Sequence, residues 1–224
     1  MSAGLSTPMT PESRGTIIIA DDHPLFRGAM RQAVNGIFKE LKVIEAGTLE
    51  ETTAAIQAEP DIDLVLLDLK MPGVNGFSGL TFLRSQHPAI PVIVVSGIED
   101  PQTIRTCIEF GASGYIPKTS SIETMHSAVA AVIAGGQWTP PHIRLDVSAD
   151  KETADLVRRL ASLTPQQMRV LAMLSDGLLN KQIAYELSVS EATVKAHVSA
   201  ILMKLGVESR TQAVIAASKI DLPA

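Results

Sequence analysis

Five short apolar runs recur between residues 16 and 116: Thr16–Ala20, Leu41–Ala46, Leu64–Leu67, Pro91–Val95 and Gly114–Ile116. Several show no polar–apolar alternation, the pattern of strands covered on both faces in a parallel sheet. Helical patterns fill the gaps, near 24–38, 48–58, 76–87, 101–110 and 121–134. Their starts are marked by Thr48 with Glu51 and Ser120 with Glu123 at capping-box spacing, and by Asp100 followed by Pro101. Gly135-Gly136 closes the last of them. Strand and helix in strict alternation predict a doubly wound α/β domain.

The rest of the chain divides around that domain. Residues 1–15, rich in Ser, Thr and Pro, are predicted to be a disordered tail without the features of a secretion signal. The α/β domain takes 16–136, a linker with Pro140-Pro141 takes 137–162, and 163–224 reads as helices and short turns only. Among 224 residues, 46% hydrophobic and 19% charged, two buried cores are affordable. No apolar run approaches the ~20 residues of a membrane span. A single cysteine, Cys107, excludes an internal disulfide and a multi-cysteine zinc site. A cytoplasmic protein with no membrane partner is therefore expected. The net charge of −5 conceals a tail that carries six basic and five acidic residues from Leu160 onward, too weak a bias to decide what it binds.

Ligands of an open parallel sheet sit beyond the carboxyl ends of its strands. Asp21 and Asp22 follow the first run, Asp68 the third, Ser96 ends the fourth, and Lys118 follows the fifth. Carboxylates gathered at one rim repel unless a cation joins them, and oxygen donors without a cysteine or histidine cluster suit Mg²⁺. Such an ion beside a free carboxylate can receive a phosphoryl group, with Lys118 and Ser96 donating to its oxygens. Solvated turn carboxylates and a surface lysine are the plainer account of each residue alone. His23, before Pro24, reads as a loop residue, and Cys107 as a small core side chain.

Asp21-Asp22-His23-Pro24, Asp68 within Leu-Leu-Asp-Leu-Lys-Met-Pro-Gly, Ser96, and Lys118 in Gly-Tyr-Ile-Pro-Lys resemble a response-regulator receiver. The resemblance implies a flavodoxin-like five-stranded sheet, phosphorylation of Asp68 by a sensor histidine kinase, and Mg²⁺ at Asp21, Asp22, Asp68 and the backbone carbonyl of Lys70. It also implies that Asp22 is the more direct metal ligand and that Ser96 and Tyr115 form a switch pair. Thr119 after Lys118, where many receivers carry proline, departs from that pattern. Slow self-catalysed phosphotransfer and autodephosphorylation are the only chemistry expected; the protein is not predicted to be an enzyme.

In the tail, Thr164-Pro165-Gln166-Gln167 is a helix start, Met168, Leu171 and Leu174 form an apolar stripe, and Asp176-Gly177 is a turn. After Ser188-Val189-Ser190, the residues Val194, Val198, Ile201, Leu202 and Leu205 share one buried face at offsets 0, 4, 7, 8 and 11. Helix, turn and helix fit a DNA reader, and on pattern alone they fit a small protein-binding bundle better. Asn-Lys-Gln-Ile-Ala, Thr-Val-Lys-Ala-His and Lys-Leu-Gly-Val-Glu-Ser-Arg-Thr-Gln-Ala-Val resemble the LuxR-type DNA-binding domain, and the two matches together resemble the NarL/FixJ group of transcriptional regulators. That resemblance makes Lys195, Ala196 and Ser199 base-facing. Thr164, Asn180, Lys181, Thr193, His197, Arg210 and Thr211 become phosphate contacts or their supports, and the helix bearing Val214 and Ala217 pairs across a two-fold axis. Double-stranded DNA, a homodimer on it, and RNA polymerase are the partners implied. Gln167 in place of glutamate, Leu179 in place of a small polar residue, and an uncharged Ser199 predict modest electrostatic affinity, so that dimerisation is needed for tight binding. Two rival classes stay open: a magnesium-dependent phosphatase or phosphotransferase, and a regulator whose α/β domain senses a small molecule.

Overall fold

In the computed structural model, residues 14–72, 74, 76–143, 155, 156, 158–160 and 162–218 are described. Most of the predicted N-terminal tail and the middle of the linker lie outside them. Strands β1 (Arg14–Ala20), β2 (Glu40–Ala46), β3 (Leu64–Leu67), β4 (Val92–Ser96) and β5 (Gly114–Pro117) form one parallel sheet in the order β2-β1-β3-β4-β5. Between and after them run α1 (Pro24–Val34), α2 (Leu49–Ala58), α3 (Ser78–Gln86), α4 (Pro101–Glu109) and α5 (Ile122–Ile133). The side chains of β3, β4 and β5 are buried throughout, as their unalternating sequences require. One core layer sets Ile17, Ile19, Leu64, Leu66, Ile93 and Val95 against α1 and α5; the opposite faces of the same strands pack against the other helices.

Of the boundaries that differ from the sequence reading, three have a plain physical cause. The first strand begins at Arg14, two residues early, because its ladder with β2 continues through Arg14↔Glu40. Helix α1 stops at Val34, where Asn35 turns extended and Gly36 takes φ +83°. The cap of α5 is Ser121, whose hydroxyl accepts from the Thr124 N–H, and not Ser120, whose N–H is spent in a turn to the Pro117 carbonyl. The Thr48 and Asp100 caps stand as expected, and Gly135 closes α5 at φ +84°.

Four further helices follow: α6 (Pro165–Ser175), α7 (Asn180–Glu186), α8 (Glu191–Leu205) and α9 (Arg210–Ser218). Val170, Leu171, Leu174, Ile183, Val194, Ile201, Leu205 and Ala213 make their core. Thr164 and Gln167 form a complete capping box at α6, and Ser190 caps α8 through the Thr193 N–H. Helix α6 rests against α3. Among the described residues, no helix is long and apolar enough to cross a membrane.

Candidate functional site

The sheet register carries the acidic residues to one rim. The Asp21 N–H still bonds the Ala46 carbonyl at 3.0 Å, and the Asp68 N–H bonds the Ala20 carbonyl at 2.8 Å, so both lie just past adjacent strand ends. The Lys118 N–H reaches the Ser96 carbonyl at 2.8 Å, extending the β4–β5 ladder by one step. From there its ammonium lies 2.7 Å from Asp21 Oδ2 and 2.8 Å from Asp68 Oδ2, and 4.8 Å from the centre of the Phe26 ring. Lys70 donates its backbone N–H to Asp68 Oδ1 at 3.2 Å.

These charges are strongly coupled. Burial pushes the Asp68 carboxyl above its ordinary value, and the bonds from Lys118 and Lys70 offset only part of that. Burial also opposes the Lys118 charge, but its close contacts with the Asp21 and Asp68 carboxylates outweigh the penalty and hold the ammonium above its ordinary value. One ammonium thus serves two carboxylates whose side chains are 0% and 2% exposed, with Asp22 beside them at 34%. Ligand atoms of Asp21, Asp22, His23 and Asp68 all lie within 4.8 Å of one another. Asp21 Oδ2 is fully buried and meets Lys118 as an ion pair without a well-directed hydrogen bond. Three carboxylates converging with a single counter-charge fit a hard divalent cation.

His23 lies in the loop before α1, as the sequence reading has it. Its backbone N–H bonds Asp21 Oδ1 at 2.8 Å, which turns the imidazole back so that Nδ1 lies 2.6 Å from Asp22 Oδ1. Tyr115 is fully buried, and its hydroxyl donates to the Ile98 carbonyl at 2.5 Å; burial pushes the phenol well up. Ser96 is buried beside it and accepts from the Ile98 N–H at 3.3 Å. Cys107 is a buried core side chain, as expected, its thiol pushed up by the same desolvation.

The next helix start carries a pH-linked cap. Asp100 accepts from the Thr103 N–H at 2.7 Å. Burial works to raise its carboxyl, but the Thr103 and Gln102 bonds and the Arg105 charge outweigh it and hold the group below its ordinary 3.8. A depressed folded value means stability present above 3.8 and lost as pH falls through the folded value. Asp100→Asn, which keeps an acceptor but no charge, is expected to cost about 0.5–1 kcal/mol at pH 7. That cost shrinks toward zero as pH falls below the range of the native carboxyl, in urea melts taken from pH 7 to pH 3.

The helical unit presents a second site. Ala192, Lys195, Ala196 and Ser199 are exposed on one face of α8, opposite the buried Val194, Ile201 and Leu205. Lys195 carries only an exposed i,i+4 pair with Glu191 at 3.2 Å. Lys181, Thr164, Thr193 and Thr211 are exposed, while Asn180, His197 and Arg210 are half-buried. Thr193 shares its hydroxyl with the Ser190 hydroxyl at 2.8 Å, and Arg210 Nη2 donates to the Leu178 carbonyl at 2.5 Å, bracing the turn before α7. Two residues that the sequence reading missed hold α8 in place. Lys204 Nζ bonds Gln167 Oε1 at 2.9 Å and the Ser162 carbonyl at 2.6 Å; Arg159 Nη1 bonds the Leu205 carbonyl at 3.0 Å. Gln167 therefore meets the Lys204 ammonium through its amide oxygen, which also accepts from the Thr164 N–H.

The structure thus joins a five-stranded parallel sheet with an acidic rim to a helix-turn-helix unit with an open polar face. Residues 17–130 match the response regulator receiver domain, and residues 161–217 match the luxR family of bacterial regulatory proteins. The chain is 41% identical over 214 residues to the glycerol metabolism activator of Pseudomonas putida, spanning 93% of this chain and 97% of that one. It is 30% identical over 211 residues to the nitrate/nitrite response regulator protein NarL of Escherichia coli K12, spanning 92% and 96%. A solved structure of two RcsB dimers bound to two parallel DNAs is similar at a TM-score of 0.52 and 25% identity, over 92% of this chain and 98% of that one. The chain belongs to the two-component response regulators, with a receiver domain and a LuxR-type DNA-binding domain.

Proposed function

We propose that Asp68 is the phosphoacceptor for a sensor histidine kinase, and that its modification governs how the helical domain engages DNA as a dimer. The observation that carries this is the Lys118 ammonium shared between Asp21 and Asp68 at the strand ends. Asp68 presents the nucleophilic oxygen, and Lys118, already within hydrogen-bond reach, is positioned to follow the new phosphoryl oxygens. Asp21, Asp22, Asp68 and the Lys70 carbonyl would hold Mg²⁺, which supplies neutralisation of the transferring group when bound. Ser96 and Tyr115 form the switch pair, and the burial of both side chains next to each other supports this. Slow autodephosphorylation is the only turnover assigned.

The base-facing residues are Lys195, Ala196 and Ser199; Thr164, Asn180, Lys181, Thr193, His197, Arg210 and Thr211 contact phosphates or support those contacts. Among the described residues, Lys195, Ala196 and Ser199 stay exposed beside the receiver. It packs through α3 on α6, and a cleft of about 640 Å³ between them is lined by Lys70, Met71, Phe77, Met168, Leu171 and, from α9, Ala217. That placement favours control of pairing through α9 over occlusion of α8. The likeness to RcsB, solved as dimers bound to DNA, supports a dimer on DNA. A cytoplasmic location and contact with RNA polymerase go with this role.

The test is DNA binding at fixed salt with and without acetyl phosphate and Mg²⁺. Binding about tenfold tighter in the phosphorylated sample is expected, the size of an ordinary coupling between sites. Equal affinity in a sample shown to be phosphorylated would overturn the proposed control.

A further inference from the structure

Asp21 stands one residue beyond the end of β1, where sheet pairing gives out. Its N–H still finds the Ala46 carbonyl, but its own carbonyl has no strand partner to donate to it. Arg27, on the first turns of α1, supplies that donor: Nη1 reaches the Asp21 carbonyl at 2.6 Å. The same guanidinium is clamped from the other side, with Nε donating to Glu45 Oε2 at 2.9 Å. Arg31 shares the other Glu45 oxygen, and the two arginines hold the Glu45 carboxyl below its ordinary value. The Arg27 side chain is only 18% exposed, so its planar fork is held by both contacts.

We propose that Arg27 is a positioning residue for divalent-cation binding, fixing the Asp21–Asp22 doublet against Asp68 through the Asp21 backbone carbonyl. This rests on the reading of the acidic rim as a cation and phosphoryl site. Three features carry it. The contact is made to the peptide that joins the two carboxylates, so its loss frees both together. Glu45 neutralises the guanidinium locally, so a cation so close to the rim adds little repulsion toward an incoming metal ion. Arg31 provides an internal contrast, because it shares the Glu45 pair yet has no bond to Asp21.

The test is Mg²⁺ affinity measured calorimetrically on the full chain without any phosphodonor, alongside thermal midpoints of the metal-free proteins. Arg27→Gln is expected to weaken Mg²⁺ about tenfold, the effect of losing one charge-assisted hydrogen bond. Arg27→Lys, whose single ammonium cannot serve Glu45 and the Asp21 carbonyl at once, should weaken it about threefold. Arg31→Gln should stay within about twofold of wild type, since it removes only an exposed ion pair. Equal weakening by Arg27→Gln and Arg31→Gln, or none by Arg27→Gln, overturns the inference. If Arg27→Gln does not fold, Arg27→Lys against Arg31→Lys decides in the same way. A wild-type chain that binds no Mg²⁺ would instead remove the cation reading on which the inference stands.

Discussion

Asp68→Asn is expected to reduce phosphoryl uptake from acetyl phosphate and Mg²⁺ by more than about 100-fold, and to abolish any donor-dependent change in DNA binding. Asparagine keeps the volume and the acceptor that faces the Lys70 N–H, but lacks the anionic oxygen that attacks phosphorus. Lys118 keeps its ion pair with Asp21, so the rim should hold its shape. Intact-mass measurement of the treated protein checks this; a modified peptide spanning any other aspartate would refute the assignment. The same variant carries a stability signature. Because burial raises the Asp68 carboxyl above its ordinary 3.8, the folded chain favours the protonated form, and wild type loses that contribution as pH rises from 3.8 through the folded value. The asparagine variant has no such loss. Its stability relative to wild type should therefore rise across that window, a trend opposite in sign to that of Asp100→Asn.

The two effects separate by their causes. Asp68 sits at the end of an all-buried strand, where desolvation prevails; Asp100 sits at a helix start, where desolvation is the largest single influence but the Thr103 and Gln102 bonds and the Arg105 charge together outweigh it. Both positions were readable in sequence, one from a polar residue closing an apolar run and the other from an aspartate before proline. The sheet was readable for the same reason: a strand buried on both faces cannot alternate. The converging rim followed from the rule that strand ends meet. What was not readable lay in contacts with no period. The Arg27 bond to the Asp21 carbonyl, the Arg210 bond to the Leu178 carbonyl and the Arg159 bond to the Leu205 carbonyl join a long side chain to a backbone atom set free where an element ends or a turn begins. Long flexible stems reach many such atoms, and only the packed structure selects one. The choice between Ser120 and Ser121 failed for a related reason: two adjacent serines offer the same cap, and a turn bond at Pro117 decided it. The contact of His23 with Asp22 was not readable either, because a backbone bond to Asp21, not residue type, sets the ring there.

Lys195→Ala is expected to cost about 1–3 kcal/mol in binding to the preferred operator, roughly 10–100-fold, while leaving affinity for random duplex nearly unchanged. The side chain is 65% exposed and tied only to Glu191, an exposed pair worth little, so docking releases it at small cost. It projects from the same face as Ala196 and Ser199, whose small side chains let the helix approach the base edges closely. With no positive charge at Ser199, the proposed assignment leaves one lysine with most of the direct hydrogen-bond readout from this face, so that losing it should flatten sequence preference at one base pair per half-site. Lys181→Ala is the counterpart. Lys181 is exposed at the start of α7; on the proposed phosphate contact, its loss should weaken specific and random duplex alike and reduce the salt slope by about one. The measurement is selection of bound duplexes from a randomised pool, followed by titration at two salt concentrations. If Lys195→Ala recovers the same sequences with unchanged discrimination, the base-reading role passes to another residue of α8. If Lys181→Ala alters the recovered sequences, the division between phosphate-holding and base-reading positions fails with it.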